Sequence, residues 1–123
     1  MVIQLLEQTR LHIQSAESLI CSDDSIAAFQ IAYDAVRKSC VALLTYHELR
    51  ATSRGGHHAL FECVAELSDN LHKYIADFDL LRQQRNSYEY PTIAGQAPIT
   101  SQIQHAVATA RAISRIVIEL VGE

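Results

Sequence analysis

The stretch from Asp24 to Leu49 constrains the fold more than any other part of the chain. Phe29, Tyr33, Val36, Cys40, Leu43 and His47 recur there at alternating intervals of four and three, the spacing that lines one face of a helix. Ile31, Ala32, Ala35, Ala42 and Leu44 widen that face and leave Gln30, Asp34, Arg37, Lys38, Thr45 and Glu48 on a narrow polar strip. A helix apolar over so much of its circumference needs neighbours on several sides, so it is expected at the centre of a helical bundle. Small residues at 27, 28, 32 and 35 invite the close approach of another helix.

The flanking segments supply those neighbours. From Val2 to about Ile20, Ile3, Leu6, Ile13, Ala16 and Ile20 fall near one face, while Glu7, Arg10, Gln14 and Glu17 point outward. The CSDDS segment marks a tight turn and offers Ser22 or Asp23 as a helix cap, with acidic residues at the positive end of the next helix. Leu60, Cys63, Val64, Leu67 and Leu71 give a third helix its core face, Asp69 to Lys73 mark a bend, and the stripe resumes at Tyr74. One kinked helix and two separate ones both fit the stretch from Leu60 to Glu89. PTIAGQAP, Pro91 to Pro98, reads as a loop, because it holds both prolines and a glycine and has no periodicity. A last helix from about Ile99 to Gly122 turns Ile103, Val107, Ala110, Ile113, Val117 and Leu120 inward, with Ser101 and Gln104 spaced as a capping box. No strand-like alternation or internal repeat competes with these helices. The expected class is all-α: an antiparallel bundle of four to five helices forming a single domain over residues 1–123.

Composition narrows the function classes. A chain of 123 residues supports one core, and a formal net charge of −4 removes the simplest argument for strong non-specific nucleic-acid binding while leaving room for a local basic patch. Cys21, Cys40 and Cys63 are odd in number, widely spaced and set among apolar neighbours, which points to reduced, buried or half-buried thiols and to the cytoplasm. The N-terminal stretch has no export-signal pattern, and no apolar run reaches membrane-spanning length. His58, Glu62 and Glu66 share a helix face at intervals of four, but no second pair with ligand spacing joins them, so neither a metal nor another cofactor is expected. Walker-type loops, dinucleotide fingerprints and Ser-His-Asp candidates are likewise absent from the sequence.

Two stretches carry the chemistry. Tyr74, Phe78 and Leu81 form a stripe whose next members are Arg85 and Tyr88, and Arg82 follows Phe78 by the same rule. An arginine in a core position implies a cleft or an interface. Pro91 then disfavours the helical region for Tyr90, so Arg85 and Tyr90 can meet, although a straight helix would set them about 140° apart. The second stretch, RATSRGGHH, breaks the helical pattern. Its glycines permit unusual backbone angles, and Arg54, His57 or His58 beside a helix start would suit a phosphate. A solvated connection shaped by the glycines is the alternative. For the arginines, structural ion pairs are the competing reading: Arg85 with Glu89, and Arg82 with Asp77 or Asp79.

The run RNSYEY resembles the arginine-x4-histidine motif of the HEPN superfamily, with Arg85 and Asn86 matching its start and Tyr90 standing where histidine is usual. LRATSRGGHHAL, Leu49 to Leu60, resembles a loop of one stand-alone branch in which arginine-asparagine followed by tyrosine is common. The resemblance implies a small helical domain linked to RNA cleavage or nucleotide handling, a homodimer that joins two motifs in one cleft, and a cognate antitoxin or nucleotidyltransferase as partner. Metal-independent cleavage needs a cation for the phosphorane charge and a group that moves protons near neutrality. Arg85 suits the first role. A tyrosine, with an unperturbed pKa of about 10, suits the second poorly.

The expectation is therefore a non-catalytic module that binds a nucleotide, RNA or a partner protein at a cleft around Arg85. The alternatives are a metal-independent endoribonuclease acting as a toxin, with Arg85 and Tyr90 catalytic and tyrosine tolerated in place of histidine, or with His57 or His58 supplying the proton transfer, and a purely structural dimerisation module. In the site so implied, Arg85 holds phosphate, Asn86 orients through its amide, Tyr90 donates a hydrogen bond or stacks, and Arg82 is a second cation. Arg54 and His57 are further phosphate contacts.

Overall fold

The computed structural model describes residues 1–49, 56–89 and 97–122 and, of His57 and Glu89, the backbone alone. Six helices occur in the described residues: α1 (Val2–Leu19), α2 (Ser25–Tyr46), α3 (Gly56–Leu67), α4 (Asp69–His72), α5 (Ile75–Glu89) and α6 (Thr100–Gly122). There is no strand among the described residues, and the fold is an all-α bundle.

Helix α2 is the central element. It packs against α1, α6, α3 and α5, and Ala28, Phe29, Ala32, Ala35, Val36, Cys40, Ala42 and Leu43 are fully buried on it. Alanines at 28, 32 and 35 let the α1 and α6 backbones approach. At the same contacts Thr9, Ser39 and Thr109 are buried, and each hydroxyl donates to the carbonyl four residues back, at 2.9, 3.0 and 2.8 Å, so that none is left unsatisfied.

The helix ends have local causes. Asp24 caps α2, its carboxylate accepting the Ala27 N–H at 3.0 Å; the expected caps, Ser22 and Asp23, lie just upstream. Ser22 serves the turn instead, with its Oγ donating to the Leu19 carbonyl (2.7 Å) and accepting from the Asp24 N–H (3.2 Å). Helix α2 stops at Tyr46, short of the expected Leu49, because Glu48 enters the left-handed region at φ 59°. Its N–H donates to the Thr45 carbonyl and that of Leu49 to the Leu44 carbonyl, a Schellman closure, and His47 is left exposed instead of extending the core stripe. Gly56, at φ +52°, opens α3 in a conformation that suits glycine.

The stretch left open as one helix or two is three. Ser68 breaks it in an extended conformation and caps the single turn α4, its Oγ accepting the Leu71 N–H at 3.3 Å. The core face of α3 runs through Leu60, Phe61, Val64 and Ala65, which turns Cys63 and Leu67 outward from where they were expected. Cys21, in the α1–α2 turn, is also exposed, so of the three free cysteines, all expected to be buried or half-buried, only Cys40 is. On α1 the buried line is Thr9, Ile13 and Ala16, and Ile3, about 80° to 140° from its members at 100° per residue, is 81% exposed. Helix α6 begins at Thr100, and Gln102, not Gln104, reaches back, accepting the Ile99 N–H at 3.0 Å. The same oxygen accepts the Tyr88 hydroxyl at 2.8 Å, which ties the end of α5 to the start of α6.

Candidate functional site: a basic cleft over Tyr33

An aromatic series sets the position of α5. Tyr33 on α2 meets Phe61 on α3 edge-on, with ring centroids 6.1 Å apart, and Phe61 stacks on Phe78 of α5 at 4.6 Å. Tyr88 packs edge-on against Phe29 at 5.0 Å. With Phe78 and Leu81 buried, the stripe carries Arg85 over the Tyr33 ring, its Cζ 5.4 Å from the centroid, the geometry of a cation–π contact. The residue that breaks the apolar stripe therefore emerges at the rim of the core.

Arg85 lines an open cleft of about 410 Å³ together with His12, Gln30, Tyr33, Asp34 and Arg37. Helices α1, α2 and α5 contribute to it. Burial raises the Tyr33 phenol to about 12, against the lowering charges of Arg85, Arg82 and Arg37. Tyr33 thus stays protonated at neutral pH, in a cleft that Arg85 and Arg37 also line.

The α1–α2 side of the cleft is a charge cluster centred on Asp34. Arg37 directs Nε and Nη2 to Asp34 Oδ1 at 2.9 and 2.6 Å. The other oxygen, Oδ2, lies 3.1 Å from His12 Nε2 and 3.4 Å from Lys38 Nζ, and Nζ itself lies 3.1 Å from Nε2. Burial pushes the Asp34 carboxyl up, but the Arg37 hydrogen bond and the charges of Arg37 and Lys38 outweigh it and hold the group below the usual carboxylate range. His12 Nε2 has two settings: protonated, it donates to Asp34; unprotonated, it accepts from Lys38.

The expected site residues are distributed as follows. Arg85 lines the cleft. Arg82 is half-buried, with Nη2 3.7 Å from Asp79, one of the two carboxylates foreseen for it, and its Nε is buried without a hydrogen-bond partner among the described residues. Asp77, the other, lies 3.0 Å from His105 of α6. Asn86 is exposed and does not line the cleft. His58 sits 2.9 Å from Glu62 and 3.8 Å from Asp79 and is not a cleft residue. Tyr90 and Arg54 lie outside the described residues, as do the side chains of His57 and Glu89. No cluster of three or more His, Cys, Asp or Glu side chains suited to a metal ion occurs among the described residues.

Sequence reasoning missed His12 and placed Asp34, Arg37 and Lys38 on a narrow polar strip without giving them a role. A signal existed: three of the polar residues of a mostly buried helix fall together at i, i+3 and i+4, and His12 borders the buried line of α1 at Ile13.

The fold and site define a class, an all-α bundle with an arginine-lined cleft at the junction of three helices. Residues 2–121 match the model of the HEPN domain, and the chain belongs to that family. No curated protein and no solved structure matches it. No described helix is long and apolar enough to cross a membrane.

Proposed function

We propose that this HEPN domain is a binding module without catalytic activity of its own, which takes a phosphate-bearing ligand, a nucleotide or RNA, in the cleft around Arg85. The observation that carries the reading is the setting of Arg85: held over Tyr33 by the aromatic series, in an open cleft shared with Arg37 and His12. A cleft of this size suits one nucleotide unit, and guanidinium groups match phosphate oxygens in geometry. Tyrosine at position 90 supports the non-catalytic part, because a phenol is protonated at neutral pH and serves poorly as a base. Asn86 and Arg82, one exposed and one half-buried on the same helix, are proposed as outer contacts, with Arg54, His57 and Tyr90 completing the site from the adjoining segments. The working unit is proposed to be a cytoplasmic homodimer, with a nucleotidyltransferase or antitoxin as its cognate partner.

A second reading, a metal-independent endoribonuclease, is favoured by one observation: His12 lines the same cleft as Arg85, and imidazole is the side chain suited to proton transfer near neutrality. One experiment separates the two. Labelled single-stranded RNA and a labelled nucleotide are incubated with the protein in EDTA, beside Arg85→Ala checked for unchanged helicity. Retention of intact ligand, weakened about tenfold or more by Arg85→Ala, is the expected result. Cleavage by the wild type alone would establish the enzyme. Equal retention by both proteins would remove Arg85 from the site.

A further inference from the structure

The Asp34 cluster has an arrangement that a purely structural ion pair does not need. One carboxylate serves Arg37, Lys38 and His12 together, and two permanent cations against one anion leave a charge of +1, which becomes +2 when the imidazole is protonated. Arg37 spends two of its five N–H donors on a single oxygen, Oδ1. Three of these four groups, His12, Asp34 and Arg37, line the cleft in which Arg85 stands.

Resting on the phosphate-binding reading of that cleft, we propose that Arg37, Lys38 and His12 form its phosphate-holding subsite on the α1–α2 side, and that Asp34 is a built-in competitor for the incoming phosphate. The carboxylate has two opposed effects. It assembles the cations, since without it three like-charged or chargeable groups would repel each other across the helix junction. It also sets a negative charge against the ligand, in the place where a phosphate oxygen would otherwise accept from Arg37. Affinity is therefore held below what the cations alone would give, and release is made easier. The low-lying Asp34 carboxyl agrees with this, because the surrounding positive field is strong enough to overcome its burial.

The test is binding at pH 7 and low salt, by fluorescence anisotropy, of a short labelled oligoribonucleotide and, separately, of a labelled AMP. Asp34→Asn keeps the side-chain shape and removes the competing charge; it is expected to tighten both probes about five- to tenfold. Arg37→Ala is expected to weaken them about tenfold and His12→Gln by a smaller factor, while Arg115→Ala, on α6 in the groove between α1 and α6, changes nothing. Tightening of the RNA alone would identify a polynucleotide as the occupant, and tightening of both probes the phosphate group itself. If Arg85→Ala abolishes binding while Asp34→Asn and Arg37→Ala leave it unchanged, the subsite is wrong and the Arg85 reading stands. If neither the wild type nor Asp34→Asn binds either probe, both fall. Should Asp34→Asn lose helicity, Arg37→Ala and His12→Gln decide, and unchanged binding in both sinks the proposal.

Discussion

The two concavities flanking α1 carry charge in different ways. The groove between α1 and α6, about 670 Å³, is lined by Leu6, Ile13 and Ile118 together with charged side chains, and the ion pairs at it are one-to-one: Arg10 with Glu7, and Arg111 with Glu17 just outside the lining. Those pairs are largely exposed, and such pairs contribute little beyond solvation of the rim. In the cleft between α1, α2 and α5, by contrast, Arg37, Lys38 and His12 share one half-buried carboxylate over a tyrosine floor. What distinguishes the cleft from the groove is the gathering of three side chains on one half-buried carboxylate, not the number of charged residues. A net charge of −4 on the whole chain therefore does not prevent a local gathering of cations around a single carboxylate.

The linings provide the largest test of that contrast. Tyr33 is 1% exposed and bridges Arg85 to Phe61, so Tyr33→Ala is expected to cost about 3–5 kcal/mol in urea unfolding. Ile118, 52% exposed, should cost less than about 1 kcal/mol when cut to alanine. Similar losses at both positions would mean that the groove is as much a part of the core as the cleft.

A second test uses alkali. Tyr33 is raised to about 12 in the folded state, against about 10 when unfolded, so the unfolded chain loses this proton first. Stability attributable to Tyr33 is then intact below pH 10 and falls as pH rises from 10 to 12, by roughly 3 kcal/mol at the limit. Tyrosinate absorbance should show one phenol titrating late, along with the milder upward shift of Tyr88, and Tyr33→Phe should remove the late step and flatten the decline. A late step that survives Tyr33→Phe would place the cause elsewhere.

What the sequence revealed, and what it hid, follows the same division. Long helices were legible because periodicity repeats over many turns, and Arg85 was legible because it violates that periodicity next to Phe78 and Leu81. Errors of local register came where single residues decide: Asp24 instead of Ser22 or Asp23 as cap, Ser68 splitting a helix, and Ile3, Cys63 and Leu67 turned away from the buried line. The Asp34 cluster was hidden for a different reason. Asp34, Arg37 and Lys38 share the i, i+3, i+4 spacing of one helix, but His12 and Lys38 are 26 residues apart and meet only through helix packing, which no spacing in one segment reveals.

The smallest effect is the most specific to the cleft. Asp34 is held below its ordinary carboxyl value, so it contributes stability that is complete above the unfolded value near 3.9 and is lost as pH falls through the lower, folded one. With the side chain 33% exposed, solvent screening limits the contribution, and Asp34→Ala at pH 7 is expected to cost only about 1 kcal/mol, chiefly from leaving Arg37, Lys38 and His12 without their common partner. Glu119→Ala in the groove should fall within about 0.5 kcal/mol of wild type. The informative quantity is the difference between the two variants as pH is lowered from 6 to 3. If Asp34 gathers the cations, its variant and the wild type converge in acid, while the Glu119 variant tracks the wild type throughout. A parallel course for Asp34→Ala would mean that the carboxylate acts through packing alone, and the contrast between the shared carboxylate of the cleft and an exposed one of the groove would lose its physical basis.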